Sequence, residues 1–134
     1  MALIDINPAL RAFLLADDAI SSAVGAARIY PVKLPQGETR TSVVVAEISN
    51  AGDHHMQGAS GLTRPRIQFD VYAQSIDAAR SLARLIKEYI DGYSGAMGSV
   101  QVQGCFFDNQ REGWENESTF YRVSGDFLIW YGER

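Results

Sequence analysis

Both histidines of the chain stand side by side in the segment "NAGDHHMQGASGL", next to Asp53 and Met56 and among glycines and small residues. Imidazole and carboxylate groups bind metals and carry protons, so this segment is the first candidate for chemistry. A zinc site needs roughly three or four converging ligands, usually two residues apart on a strand or four apart on a helix. Adjacent His54 and His55 diverge in most backbone conformations, so the pair by itself is weak evidence for a metal.

Other reaction chemistry has less support. The sequence contains no further histidine, no Gly-x-Ser-x-Gly turn and no glycine pattern that would cradle a phosphate before a helix. We therefore predict no catalytic residue, no cofactor and no metal. Residues 50–61 instead indicate a long, poorly ordered loop between two strands, which is either a plain solvated connection or an element that contacts a partner through His54, His55 and Met56. A small metal- or ligand-binding domain stays an alternative.

Composition restricts the class of protein further. The chain has 134 residues, 46% of them hydrophobic, which favours one compact domain over residues 1–134. Its net charge of -4 and its scattered basic residues argue against nucleic acid as a direct ligand. The single cysteine, Cys105, excludes an intramolecular disulfide and suits a reducing compartment. We expect neither a signal peptide nor a membrane span, and thus a soluble protein made in a cytoplasm.

Two helices are predicted. Asn7 as N-cap and Pro8 at the first helical position begin one, which Gly25 ends. Ser75 caps the second, which carries an apolar stripe and ends at Gly92.

Five segments have strand character. "RPRIQFDVYAQ" alternates apolar and polar residues most clearly, and the others are "ARIYPV", "TSVVVAEIS", "SVQVQGCFF" and "TFYRVSGDFLIWYGE". Because strands and helices do not alternate strictly, we predict an α+β fold, a single domain with a mainly antiparallel (mixed) sheet and two helices packed on one face.

The last two strands are joined by a polar segment, residues 108–118, which we interpret as the loop of a hairpin. It carries four acids, Asp108, Glu112, Glu115 and Glu117. They are candidates for the wall of a channel or for a charged contact, and a plain solvated hairpin tip explains them equally well.

The final strand suggests a second contact. Leu128 and Trp130 lie on the face opposite Phe127 and Ile129, so both faces are apolar at the end of this strand. Either another element covers Leu128 and Trp130, or they form a subunit interface. If Trp130 belongs to the core, the next candidate is the exposed face of the second helix, with Arg80, Arg84 and Lys87.

Three segments, in this order, resemble the tail-terminator or tail-completion family of long-tailed bacteriophages, also called tail-to-head joining proteins. They are "RIYP" with "PQGE" after the first helix, "IQFDVYAQS" leading into the second helix, and "YRVSGDFLIWY" near the end. The resemblance covers nearly the whole chain. Members often have a proline directly before the second strand, where this chain has Thr41 and Ser42, which leaves the geometry of the loop 33–40 open.

The resemblance implies a structural protein of a phage or prophage, without enzymatic activity. Such proteins form a ring, typically a hexamer, that caps the tail tube, ends tube polymerisation and joins the tail to the head. The implied partners are further copies of the chain, the major tail tube protein and the head–tail connector or neck proteins, with no membrane. DNA would pass through the channel without specific binding, which suits an acidic protein. The implied location is the head-proximal end of the virion tail, after synthesis in the host bacterial cytoplasm. A head-completion or neck protein of the same junction is the alternative.

Overall fold

The computed structural model describes residues 6–25, 27–55, 58–98, 100–115 and 120–133, with the backbone alone for residues 49–64, 115 and 133. These ranges contain three helices and six strands. The helices are α1 (Asn7–Leu15), α2 (Asp18–Ala23) and α3 (Ile76–Ile90), and the strands are β1 (Ile29–Pro31), β2 (Ser42–His55), β3 (Gly58–Ala73), β4 (Gly95–Met97), β5 (Val100–Glu115) and β6 (Phe120–Glu133).

The strands form one mixed sheet in the order β1-β2-β3-β6-β5-β4. The β1–β2 pair is parallel and the other four pairs are antiparallel. The predicted α+β fold class is therefore confirmed. The short strand β4 was not predicted, because its three residues, Gly-Ala-Met, carry no pattern of their own.

The helices cover one face of the sheet. A buried cluster joins Leu10 of α1 and Ile86 of α3 to strand residues such as Phe69, Phe127 and Ile129. These strand residues alternate with the side chains of the other face, which we call the open face. Burial of the helix-facing side chains against the sheet is the main source of stability for such a layered fold.

The first predicted helix is divided into α1 and α2. The division occurs at Asp17, whose carboxylate accepts a hydrogen bond from the Ile20 N–H at 3.1 Å and so starts a second helix. Asn7 is not the N-cap that was predicted, since that position is Ile6. The Asn7 side chain instead donates to the Val45 carbonyl at 3.0 Å, which ties α1 to the sheet.

Helix α3 agrees with the prediction. Ser75 is its N-cap and accepts a hydrogen bond from the Ala78 N–H at 3.1 Å. The buried positions on α3 are Ala79, Leu82, Ile86 and Ile90. After the helix, Gly92 adopts φ +82°, a conformation that glycine tolerates without strain.

Two long hairpins point toward opposite ends of the sheet. At one end, the β2–β3 pairing continues to His55 opposite Gly58. At the other end, β3 finishes at Ala73 opposite Tyr121, next to the last β5–β6 pair, Glu115 with Phe120. The two segments that the sequence singled out as contact elements are thus separated by the length of the sheet.

Candidate assembly surfaces

The histidine segment is part of a hairpin, so the prediction of a loop over residues 50–61 is wrong for most of its length. The β2–β3 ladder runs through Asn50, Gly52 and His54 to His55 opposite Gly58. Because β3 pairs with β6 only from Leu62 onward, the hairpin projects beyond β6. We call residues 50–55 and 58–61 the histidine arm.

The side chains that were predicted to make the contact lie outside the described part of the chain. Met56 lies outside the described residues, as do the side chains of His54 and His55. Among the side chains that are described, no group of three or more His, Cys, Asp or Glu residues could hold a metal ion.

The acidic segment is also largely strand. Asp108 and Glu112 lie within β5, so the interpretation of residues 108–118 as a loop is wrong as far as Glu115. The polar side chains of this stretch did not indicate a strand in the sequence. The stretch nevertheless pairs with β6 as far as Glu115 opposite Phe120. The side chain of Glu115 and the whole of Glu117 lie outside the described residues.

Asp108 and Glu112 are each paired with an arginine, on different parts of the molecule. Asp108 accepts a hydrogen bond from Arg66 of β3. Glu112 accepts two from Arg80 of α3, at 2.5 and 2.9 Å. The Arg80 bonds lower the pKa of Glu112. The two acids therefore do not form one continuous acidic wall, and their charges are compensated locally.

An apolar patch lies at the β5–β6 side of the open face. Trp130 and Leu128 are half-buried there, and the Phe106 ring meets that of Trp130 edge to face with centroids 5.3 Å apart. Phe106 is 54% exposed. The buried cluster that includes the helices contains Phe127 and Ile129 but neither Leu128 nor Trp130. We call Phe106, Leu128 and Trp130 the open-face patch; Phe106 was not predicted as part of it.

The middle of the open face holds a polar network around Asp126, which is 5% exposed. Arg111 donates to the Asp126 carboxylate at 3.1 Å, and Arg66 lies 3.6 Å from it. Two arginines thus neutralise a nearly buried carboxylate and join β3, β6 and β5. The network extends to Gln68, Asp70 and Ser124.

A second exposed aromatic pair lies on the helix-facing side, at the end where β5 and β6 join. The rings of Trp114 and Tyr121 are 4.7 Å apart, and Trp114 is 47% exposed. The sequence did not reveal this pair, because the contact depends on the register of β5 against β6, which places Trp114 opposite Tyr121.

The loop 33–40 is fixed by Glu38. Its carboxylate accepts hydrogen bonds from the Tyr30 hydroxyl at 2.9 Å and from the Arg40 guanidinium at 2.9 Å. The Arg40 bonds, above all, lower the pKa of Glu38 to about 2. The loop therefore contributes a fixed surface beside β1.

The space between α3 and the sheet is too small for a ligand, and the thiol of Cys105 is buried. The cavity between α3 and the sheet, lined by Phe69, Ile86 and Phe127 among others, measures about 10 Å³, which is room for one water at most. Cys105 is 2% exposed, and burial raises the pKa of its thiol to about 12. No described helix has the length and apolar character needed to cross a membrane.

Comparison with known families identifies the class of protein. The model of the family described as "Tail completion protein gp17" matches residues 8–132, so the chain belongs to that family. It is therefore a structural protein of a phage-type virion with a role in tail assembly, which confirms the resemblance and the virion location predicted from sequence.

The fold also has a counterpart among solved structures. A chain in the structure titled "Virion of native gene transfer agent (GTA) particle" superposes with a TM-score of 0.79 and is 16% identical, with 95% of this chain and 94% of that chain covered. At this identity the likeness shows the shared fold. No curated protein sequence matches the chain.

Proposed function

We propose that six copies of the chain form a closed ring that caps the head-proximal end of the tail tube. The ring ends polymerisation of the tube protein and presents the surface to which the head connector docks. This function requires binding and no reaction, in keeping with a family of structural virion proteins.

The observation that carries this proposal is the placement of the two hairpin ends at opposite ends of one sheet. A joining protein must contact the tube on one side and the head on the other. The histidine arm projects at one end and the β5–β6 hairpin closes the other, so a ring of such subunits has two different rims. We propose that the arm, with His54, His55 and Met56, contacts the tube or a neighbouring copy.

The open-face patch is the proposed subunit interface. It consists of Leu128 and Trp130, as the sequence suggested, together with the exposed ring of Phe106. Aromatic side chains that stand exposed beside apolar neighbours are typical anchors of protein contacts. In a ring, the same patch is used once by every copy, against a different surface of the next copy.

The channel of the ring must let DNA pass. A net charge of -4 repels the phosphate backbone, and the bonds of Asp108 and Glu112 to arginines leave fewer cations free to hold DNA. We propose the four acids of residues 108–118, Asp108, Glu112, Glu115 and Glu117, as channel or contact acids.

The mass of the assembled protein tests the proposal. Light scattering after size exclusion, with and without purified tail tubes, should find a species of six times the 14.7 kDa chain mass in at least one of the two conditions. A protein that stays at 14.7 kDa and does not bind tubes would contradict it.

A further inference from the structure

The sheet has two lateral edges that its own short strands cover in part. On one side, β1 pairs with residues Val43–Val45 of β2, which continues to His55. On the other side, β4 pairs with residues Val100–Val102 of β5, which continues to Glu115. Asp91 and Gly92 extend this cover by hydrogen bonds to Phe107 and Cys105. Among the described residues, no strand pairs with the outer edge of β2 over 50–55 or of β5 over 109–114.

The β5 edge lacks much of the usual protection of an exposed strand, whereas the β2 stretch contains Asp53 and an irregularity between Gly52 and His54. Natural edge strands discourage pairing with lysine, proline or free charges, and neither stretch contains lysine or proline. In the β5 stretch both charges are already bonded within the same subunit, Arg111 to Asp126 and Glu112 to Arg80. The β5 edge is therefore able to accept a further strand.

The strand directions favour a second copy as that strand. β2, β3, β6 and β5 alternate in direction across the sheet. Rotation about a ring axis preserves the direction of each strand, so β5 of one copy meets β2 of the next antiparallel. The alternation then continues from subunit to subunit, and each copy uses one edge of each kind, as a head-to-tail ring requires.

We infer that neighbouring copies in the ring join edge to edge, with residues 109–114 of β5 on one copy antiparallel to residues 50–55 of β2 on the next. This inference rests on the ring proposed above and specifies how it closes. Because the two stretches lie at opposite ends of the sheet, the strands are inclined to the ring axis, as strands are in closed barrels.

Exposed apolar side chains stand beside both edges. Ile48, at a bulge of β2, is 47% exposed, and Trp114, at the end of the open β5 stretch, is exposed to the same extent. The open-face patch also lies on the β5 side, since Phe106 belongs to β5. A neighbouring copy that pairs with the β5 edge can therefore also cover either Trp114 on the helix-facing side of the sheet or the patch on its open face.

Hydrogen exchange measured on the ring tests the inference. In an unpaired edge strand, about every second amide points outward and exchanges fast. If the edges pair, every amide in 50–55 and 109–114 should exchange at least about tenfold more slowly than an unprotected amide. A ring of the expected mass in which either stretch keeps its fast amides would overturn edge pairing and leave the ring proposal standing. Failure to form any ring would overturn both.

A matched pair of substitutions adds an independent readout. Trp114 and Tyr121 are in contact, but Trp114 is on the edge strand β5 and Tyr121 is on the interior strand β6. Trp114→Lys should give a folded monomer, and Tyr121→Lys should still form the ring. A ring that survives Trp114→Lys, or that is lost in both variants, would contradict pairing at the β5 edge.

Discussion

The rings of Phe106 and Trp130 meet edge to face on the open face of the sheet, with their centroids 5.3 Å apart. Phe106 is the more exposed of the two. Edge-to-face aromatic pairs stabilise by about 1 kcal/mol beyond the area they bury. Here the pair also holds an apolar ring toward solvent, where another protein can bury it.

Phe106→Ala should therefore abolish or weaken ring formation while it lowers the free energy of unfolding by only about 1 kcal/mol, the contribution of the lost ring pair. Glu88→Ala, an exposed substitution on α3, is the control and should leave the assembly mass unchanged.

Trp130→Ala should also give a monomer with near-native helix content. Light scattering and circular dichroism measure both effects. A Trp130→Ala protein that unfolds would assign Trp130 to the core, and an intact Phe106→Ala ring would remove the patch from the interface.

The carboxylate of Asp126 should matter more for folding than for assembly. Asp126→Ala removes the partner of Arg111 on a nearly buried site, and we expect a loss of about 2 kcal/mol in the free energy of unfolding. Urea denaturation measures this loss, with Glu88→Ala within about 0.5 kcal/mol of wild type as the reference. Equal stability of the two variants would show that the network on the open face contributes nothing.

Val32 follows β1 with φ 69°, a conformation that a β-branched residue rarely adopts, and its side chain is 73% exposed. Val32→Gly should raise the free energy of unfolding by about 1 kcal/mol, because the strain is released and no buried contact is lost. Val32→Ala keeps the Cβ atom and is the matched control. Thermal melts in which glycine is no better than alanine would argue against strain at this residue.

The loop 33–40 should lose its support in acid. The pKa of Glu38 is about 2 in the folded protein, below its ordinary value of 4.5, so its stabilising effect is complete above pH 4.5. The effect should fade as the pH drops from there toward 2. Melting temperatures of wild type and Glu38→Gln should thus differ most at neutral pH and converge near pH 2. A constant difference across this range would contradict the assignment.

The histidine arm is expected to bind a partner and no metal. The double substitution His54→Ala and His55→Ala should leave the melting temperature and the zinc content of the purified protein unchanged while it weakens binding to tail tubes. Elemental analysis and tube co-sedimentation measure these quantities. If the wild-type protein contains stoichiometric zinc and the double variant does not, this interpretation is contradicted.

The elements that could be predicted from sequence are those with local causes. Ser75 as a cap, the apolar stripe of α3 and Gly92 after it are all readable within one segment. The extensions of β2 to His55 and β5 to Glu115 are different, because glycine, asparagine and charged residues have low strand propensity and pairing along a neighbouring strand overrides it. The Trp114–Tyr121 contact likewise depends on a register that no local pattern specifies.

Electron microscopy of tails assembled with and without this chain tests the central claim most directly. With the chain present, tubes should have one uniform length and carry a six-fold ring at the end that joins the head. Without it, they should be overlong or unable to join heads. Tubes of normal length that join heads in the absence of the chain, or tails in which the chain lies elsewhere than at the head-proximal end, would contradict the account.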